Sequence, residues 1–203
     1  MDRVSPGLSH RLTLASASAT RARLLEAAGI PVTIRPARLD EEAVKLSLSA
    51  EDASARDVAD TLAEMKATKG AVPGLCLGCD QVLTHGHVLL SKPRDRSDAV
   101  TQLYGLRGKQ HRLLSAAVIA EDGRPVWRHV AEVRMTMRPL SDAYVANYVE
   151  RNWNEIRHAV GAYQLEAEGA RLFDRVEGDY FAVLGLPLLQ VIGFLADRGV
   201  VAT

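Results

Sequence analysis

The sequence predicts an α/β fold built on a mixed sheet. Two observations carry this. Helical and strand-like patterns alternate along the chain from Leu12 to Asp197. Two segments also read as antiparallel hairpins, one turning at Thr84–His87 (THGH) and one at Glu121–Arg124 (EDGR). Crossover helices alone would produce a parallel sheet, whereas hairpins interleaved with helices produce a mixed one.

Leu12 to Ala15 reads as a short strand, Ser16 to Ser18 as a polar loop, and Ala19 to Ala28 as a helix with Leu24 and Leu25 inward, stopped by Gly29. Pro31 to Arg35 predicts a second strand, followed by an acidic loop, LDEEAVK. Ser54 opens a helix to Lys69, because Val58, Leu62 and Met65 share one face. The strand Leu75 to Leu83, the THGH turn and the strand Val88 to Ser91 follow. Ser97 is expected to cap a helix through Tyr104 that closes near Gly105.

His111 to Ala120 and Val126 to Met137 flank EDGR. In the second of these strands Trp127, Ala131, Val133, Met135 and Met137 alternate with Arg128, Glu132, Arg134 and Arg138, so one face is buried and one is wet. Ser141 starts a helix with Tyr144, Val145, Tyr148 and Val149 on one stripe. The stretch GAYQLEAEGARLFDRVEGDYFAVLGLP is loop and strand punctuated by glycine, and Pro187 suits the first turn of a last helix to Asp197. With no repeat or linker, the expectation is a flexible leader over residues 1–10 and a single domain over 11–203.

Composition limits the function. The 203 residues are 47% hydrophobic, enough for a sizeable core, and Lys+Arg and Asp+Glu are both 25. A neutral chain with 5% aromatics lacks the basic footprint of a nucleic-acid binder, so no nucleic-acid partner is expected. The most apolar stretch, Ala182 to Ala196, is interrupted by Gly185, Pro187, Gln190 and Gly193 and reads as core, not as a membrane span. The apolar run near the start, Leu12 to Ala15, is too short for a signal peptide, and a soluble cytoplasmic protein is expected. Cys76 and Cys79 form C-L-G-C inside a predicted strand, where positions three apart face opposite ways. With no second pair for zinc, they read as ordinary buried thiols.

Four places put polar groups at strand ends. Ser16 to Arg21 (SASATR) joins a strand to a helix; its N–H groups, with Arg21 and Arg23, suit an anion, or it is simply a capped helix start. Asp40 to Glu42 suits Mg²⁺, or it is a wet loop. Asp80 would act as a general base toward water or hold a metal-bound water, and Lys92 would neutralise phosphate charge; the plainer alternative is an ion pair bridging the hairpin. GAYQLEAEG would let backbone approach a flat ligand, with Glu166 accepting from a base edge, or it is an awkward turn. His85 and His87 have no third ligand within reach and read as exposed turn residues.

The segments LASASATRARLLEAAGIP, GCDQVL…LLSKPRD…AVTQLYGLRGKQH and GAYQLEAEGARLFDRVEGDYFAVLGLPL resemble, in this order and from about Leu12 to Leu195, the Maf proteins. These are nucleoside triphosphate pyrophosphatases also known as septum-formation inhibitors. The resemblance implies an elongated, inosine triphosphate pyrophosphatase-like fold with helices flanking a twisted sheet, a cleft between two lobes, and a homodimer. It also implies Mg²⁺- or Mn²⁺-dependent cleavage of a nucleoside triphosphate to monophosphate and pyrophosphate. By position, Ser16, Ser18 and Arg21 match the phosphate loop, Glu41 the metal-binding acid after the second strand, and Lys66 the lysine on the following helix. Asp80 matches the catalytic and metal-binding aspartate, Lys92 the lysine of the G-K-P motif, and Glu166 a position where many members carry glutamine.

The sequence departs from the family pattern at three points. Ala19 and Thr20 replace the proline and first arginine of S-x-S-P-R-R, with Arg23 one turn further on; Ser91 replaces the glycine of G-K-P; and Gln81 replaces the usual threonine. A triphosphate brings about four negative charges into the cleft, which Lys66, Lys92, Arg21 and a metal would offset, while the same cations would hold the Asp80 pKa down. Gln81 and Glu166 resemble the branch acting on 7-methyl-GTP, whereas Ala162 and Tyr163 look more like the dTTP/UTP branch. A carboxylate only accepts hydrogen bonds, which suits the paired donors of guanine. A rival from another class is a nucleotide-binding regulator of cell division with little turnover. Pyrophosphate release distinguishes the two.

Overall fold

The computed structural model describes residues 12–70 and 73–202, so the expected leader lies outside the described residues. Seven strands form one mixed sheet: β1 (Leu12–Leu14), β2 (Val32–Ile34), β3 (Leu75–His85), β4 (Val88–Leu90), β5 (Gln110–Glu121), β6 (Arg124–Met137) and β7 (Phe173–Glu177). The order is β2-β1-β3-β5-β6-β7, with β4 paired to β3. β1 runs parallel to β2 and β3, and all other pairings are antiparallel. Both predicted hairpins form, and the fold class is the expected one. The sheet is long because β3, β5 and β6 are long: the 14 residues of β6 extend roughly 45 Å at about 3.3 Å per residue.

The helices are α1 (Ala19–Ala27), α2 (Glu41–Ala50), α3 (Ala55–Lys69), α4 (Arg96–Leu106), α5 (Asp142–Ile156), α6 (Tyr180–Val183) and α7 (Leu188–Asp197). Three of them correct the sequence reading. The stretch before Pro187 that reads as loop and strand holds helix α6, capped by Asp179 accepting from Phe181 N. The acidic loop is helix α2, because Asp40 accepts a hydrogen bond from Ala43 N and caps it. Helix α4 starts at Arg96, capped by Asp95 through Asp98 N at 2.8 Å, because a carboxylate on an extended residue precedes Ser97 and takes the cap first. No described helix is long and apolar enough to cross a membrane.

Strand parity sorts the core. Val82, Leu114, Ala116 and Val118 pack against Val58, Leu62 and Ala63 of α3 on one face. Leu77, Cys79 and Ile119 point to the other face, against Leu25 of α1 and Val191 of α7. Further along that second face, Leu83, Leu113 and Met135 pack against Leu103 of α4 and Tyr148 of α5. Burying a leucine such as Leu62 (0% exposed) contributes about 2 kcal/mol. Cys76 and Cys79 are both free and buried, and burial pushes each thiol up to about 11, as inert core cysteines require.

Two features of β3 prepare the site. A Cβ at Gly78 would lie 2.2 Å from Ala63 O and 2.4 Å from Ala67 N, so only glycine lets α3 lie this close to the strand. β3 also has a gap along one edge. β1 pairs with it only at Cys76 and Leu77, and β4 only from Leu83 onward, while β5 pairs with it continuously on the other side. Between Gly78 and Val82 the sheet is notched, and Asp80 sits in the notch.

Candidate active site

A cavity of about 600 Å³ opens at this notch, within the usual size of a small-ligand pocket. Its lining includes all the predicted site residues: Ser16, Ser18, Arg21, Glu41, Lys66, Asp80, Gln81, Lys92 and Glu166. They come from segments far apart in sequence, which the two packed faces of the sheet bring to one place.

The first wall is the turn from β1 into α1. Ser18 caps α1, its Oγ accepting from Arg21 N at 3.3 Å, and Ser16 Oγ accepts from Ser18 N at 3.2 Å. The first turn of α1 has no acidic residue, which leaves the positive end of the helix open to an anion. Arg21 donates from Nε to Gly185 O at 2.7 Å and from Nη1 to Ser16 Oγ at 3.1 Å and Cys79 O at 2.9 Å. The Cys79 carbonyl lies in the notch of β3, so the arginine satisfies a strand group that no neighbouring strand reaches. Arg23 is exposed and donates to Thr20 Oγ1 at 3.4 Å.

The floor is a buried three-charge cluster. Lys66 Nζ lies 2.6 Å from Asp80 Oδ1 and 2.8 Å from Glu41 Oε1. Lys66 belongs to α3 and Asp80 to β3, and the close approach at Gly78 brings them together. The second oxygen, Asp80 Oδ2, is buried and has no partner among the described residues. Burial raises the Asp80 pKa above 3.8, against the lowering effects of Lys66 and Arg21. This corrects the sequence expectation that cations hold it down: at 4% exposure, desolvation outweighs them. Burial pushes Glu41 up as well, but the hydrogen bond and charge of Lys66, with Lys92 and Lys45 further off, hold it below the usual glutamate range.

Lys92 is exposed and makes no ion pair among the described residues. The partner of Asp80 is Lys66, so the hairpin bridge between Asp80 and Lys92 does not form. Lys92 instead stands at the cavity with its charge uncommitted. Gln81 lines the cavity too, but its Nε2 faces three acceptors: Ser115 Oγ at 3.0 Å, Ala182 O at 3.0 Å and Val183 O at 2.9 Å.

Another part of the lining comes from the segment Glu155 to Glu166. Gly161 (φ 77°) and Ala162 (φ 58°) adopt consecutive left-handed conformations, strained for the alanine, and turn the chain so that Tyr163 is buried. Tyr163 OH lies 2.8 Å from His111 Nε2, and burial lowers the His111 pKa to about 4, so this ring is neutral. A Cβ at Gly169 would lie 2.3 Å from Gln164 O, so glycine closes the tight turn that carries Glu166.

Sequence reasoning missed Lys45, Glu155, His158 and Gln164, which also line the cavity. Lys45 was legible in principle, because it stands four residues after Glu41 on what proves to be a helix. The other three follow from the turn at Gly161 and had no sequence signal. His85 lies against Gln110 O at 3.1 Å, and no group of three metal-ligating side chains forms among the described residues. Glu41 and the unpartnered Asp80 Oδ2 nevertheless fit a hard divalent cation. Both are oxygen donors, and Mg²⁺ commonly takes one or two carboxylates and completes its shell with substrate phosphates and water.

The family model described as Maf-like protein matches residues 11–198. A protein of Roseobacter denitrificans named nucleoside triphosphate pyrophosphatase is 63% identical over 93% of this chain and 96% of its own length. Proteins with the same name from Ruegeria pomeroyi (57% identical, 95% of this chain, 98% of the relative) and Caulobacter vibrioides (45%, 93% and 96%) are similar over the same extent. The chain belongs to the Maf-like protein family.

Proposed function

We propose that the protein hydrolyses a nucleoside triphosphate to its monophosphate and pyrophosphate. The observation that carries this reading is Asp80: a buried carboxylate with one oxygen held by Lys66 and the other unpartnered, facing a cavity whose remaining wall is a phosphate-type loop. The name shared by the close relatives points the same way.

Asp80 orients a water and takes its proton as the water oxygen attacks the α-phosphorus. The new O–P bond forms as the bond from the α-phosphorus to the bridging oxygen breaks, and pyrophosphate leaves. Arg21 and Lys92 offset the charge on the leaving group, which removes a barrier that water alone would have to overcome. Lys66 keeps Glu41 and Asp80 from repelling each other before substrate arrives. A divalent cation held by Glu41 and Asp80 would supply charge neutralisation at the phosphates.

The base is proposed to be of the guanine type, including guanine methylated at N7. Glu155 and Glu166 place two carboxylates in the lining of the cavity, and the basic residue lining that segment is His158. Carboxylates accept and never donate, so they suit paired N–H donors, and they favour a base carrying positive charge, as N7-methylguanine does. The test is pyrophosphate release across a panel of nucleotides with Mg²⁺ or Mn²⁺ and with a chelator. Release that needs the metal is expected; chelator-resistant hydrolysis or no release with any nucleotide overturns the reading, the latter favouring a binding protein without turnover.

A further inference from the structure

We infer that the turn between α6 and α7 aims Arg21, and that Gly185 is the residue on which the aim depends. This rests on the phosphate-binding reading of the cavity. A guanidinium has five N–H donors. Three of them are taken: Nε by Gly185 O, and Nη1 by Ser16 Oγ and Cys79 O. Nη2 keeps both hydrogens and makes no hydrogen bond among the described residues, while Arg21 lines the cavity. The arginine is therefore held at Nε and Nη1, and its one uncommitted nitrogen, Nη2, is left for an anion.

The hold on Nε is itself anchored. Ser115 Oγ donates to Ala182 O at 2.6 Å, and Gln81 Nε2 donates to the carbonyls of Ala182 and Val183. These are carbonyls of the last turn of α6, and Ala182 O also accepts from Gly185 N at 3.0 Å, which ties Gly185 to the same anchor. Gln81 and Ser115 thus fix α6 on the sheet, α6 fixes Gly185, and the Gly185 carbonyl fixes Arg21. The conformation at Gly185 (φ +90°) turns that carbonyl toward the arginine, and an added Cβ would lie 3.1 Å from Nη2 and 3.2 Å from Nε. Glycine suits this residue twice: for its backbone angle, and because an added Cβ would press on Nε and Nη2 and shift the guanidinium.

The arrangement fits the loop's own departures. Where the related pattern has a proline and a further arginine, this loop has Ala19 and Thr20. More of the phosphate binding then falls on Arg21. Fixing a long side chain in advance removes the entropy that ordering it on binding would cost. Gln81 belongs to this device as a positioning residue.

The experiment is a double-mutant cycle between Gly185→Ala and Arg21→Ala, read on KM, kcat and inhibition by pyrophosphate. Gly185→Ala is expected to stay folded, to raise KM and to weaken pyrophosphate inhibition by about tenfold, the scale of a misaligned charge-assisted hydrogen bond. In the Arg21→Ala background the same change is expected to add less than about twofold, because residues acting through one another are not additive. Gly199→Ala serves as the control: Gly199 also has positive φ (67°) but has nothing within 4 Å of its added Cβ, and it is expected to leave all three readings unchanged.

Wild-type kinetics in folded Gly185→Ala, or an undiminished effect of it without Arg21, overturns the inference. If Gly185→Ala does not fold, the double substitution Gln81→Ala with Ser115→Ala, which removes both side-chain anchors on Ala182 O, takes its place in the same cycle, and the same two results overturn the inference. If the wild type releases no pyrophosphate from any nucleotide, the proposed activity fails. The cycle is then decided on pyrophosphate binding measured by calorimetry.

Discussion

Lys66 Nζ lies 2.6 Å from Asp80 Oδ1 and 2.8 Å from Glu41, so one buried ammonium holds two carboxylates together at the floor of the cavity. The pair with Asp80 joins a helix to a strand 14 residues later and leaves one aspartate oxygen without a partner. Only Lys66 among the lysines lining the cavity is buried. It balances the two carboxylates, while Lys92 lines the same cavity without an ion pair among the described residues.

Asp80→Asn is expected to fold and to lose at least ~100-fold in turnover, the scale for removing a positioned base. Its stability should not fall. Burial raises the folded pKa of Asp80 above 3.8, so the folded protein holds this proton more tightly than the unfolded chain does. That contribution is complete below the unfolded value and disappears as pH rises through the folded one. At neutral pH the ionised carboxylate is therefore a cost, and the amide avoids it. Near-wild-type turnover in a folded Asp80→Asn protein removes Asp80 from the chemistry; a clear drop in melting temperature at neutral pH contradicts the burial argument.

Lys66→Met should act mainly on stability. Removing one partner of a buried ion pair costs about 3–5 kcal/mol, since Asp80 and Glu41 then face each other uncompensated. The wild-type hold on Glu41 lowers its folded pKa below 4.5, a stabilisation present above the unfolded value and lost as pH falls through the folded one. In the mutant both carboxyls shift upward instead. The gap between the two proteins should therefore widen from pH 5 to pH 8. Urea melts showing equal gaps at both values refute the cluster's electrostatic role.

Lys92→Ala predicts the opposite profile. The side chain is exposed and has no ion pair among the described residues, so stability is expected to change by less than about 0.5 kcal/mol. KM should rise and kcat should fall together, because in the proposed reaction Lys92 would contact the phosphates both when bound and when leaving. Wild-type kinetics would make it a surface lysine.

Base choice is tested by kcat/KM for 7-methyl-GTP, GTP, UTP and dTTP on wild type, Glu166→Gln and Glu155→Gln. The wild type is expected to prefer a guanine nucleotide, and either amide is expected to narrow that preference. A preference for UTP or dTTP by tenfold, about 1.4 kcal/mol, sinks the guanine assignment and leaves the pyrophosphatase assignment standing.

Much of the fold was legible because its signals are local. The period-two alternation in β6, the capping serines of α3 and α5, and Gly29 after α1 each act within a few residues. The helix misreadings were local competitions: Asp40, Asp95 and Asp179 capped helices where a polar run or a glycine-rich stretch looked like loop or where Ser97 looked like the cap.

The residue types of the site were legible too, since acids, lysines and a serine-rich turn stand at strand ends. Their pairings were not, because those depend on contacts between distant segments. Sequence proximity suggested that Asp80 pairs with Lys92, but Gly78 lets α3 approach β3 and delivers Lys66 to Asp80 instead. Charge counting suggested a depressed Asp80 pKa, but burial in the notch left by β1 and β4 reverses its direction. Gln81 looked like a reader of the substrate, yet its amide nitrogen faces carbonyls of α6, 101 and 102 residues away. Sequence determines which groups are present and which local structures carry them. Desolvation and hydrogen-bond competition depend on what surrounds each group, and only the packed tertiary structure decides that.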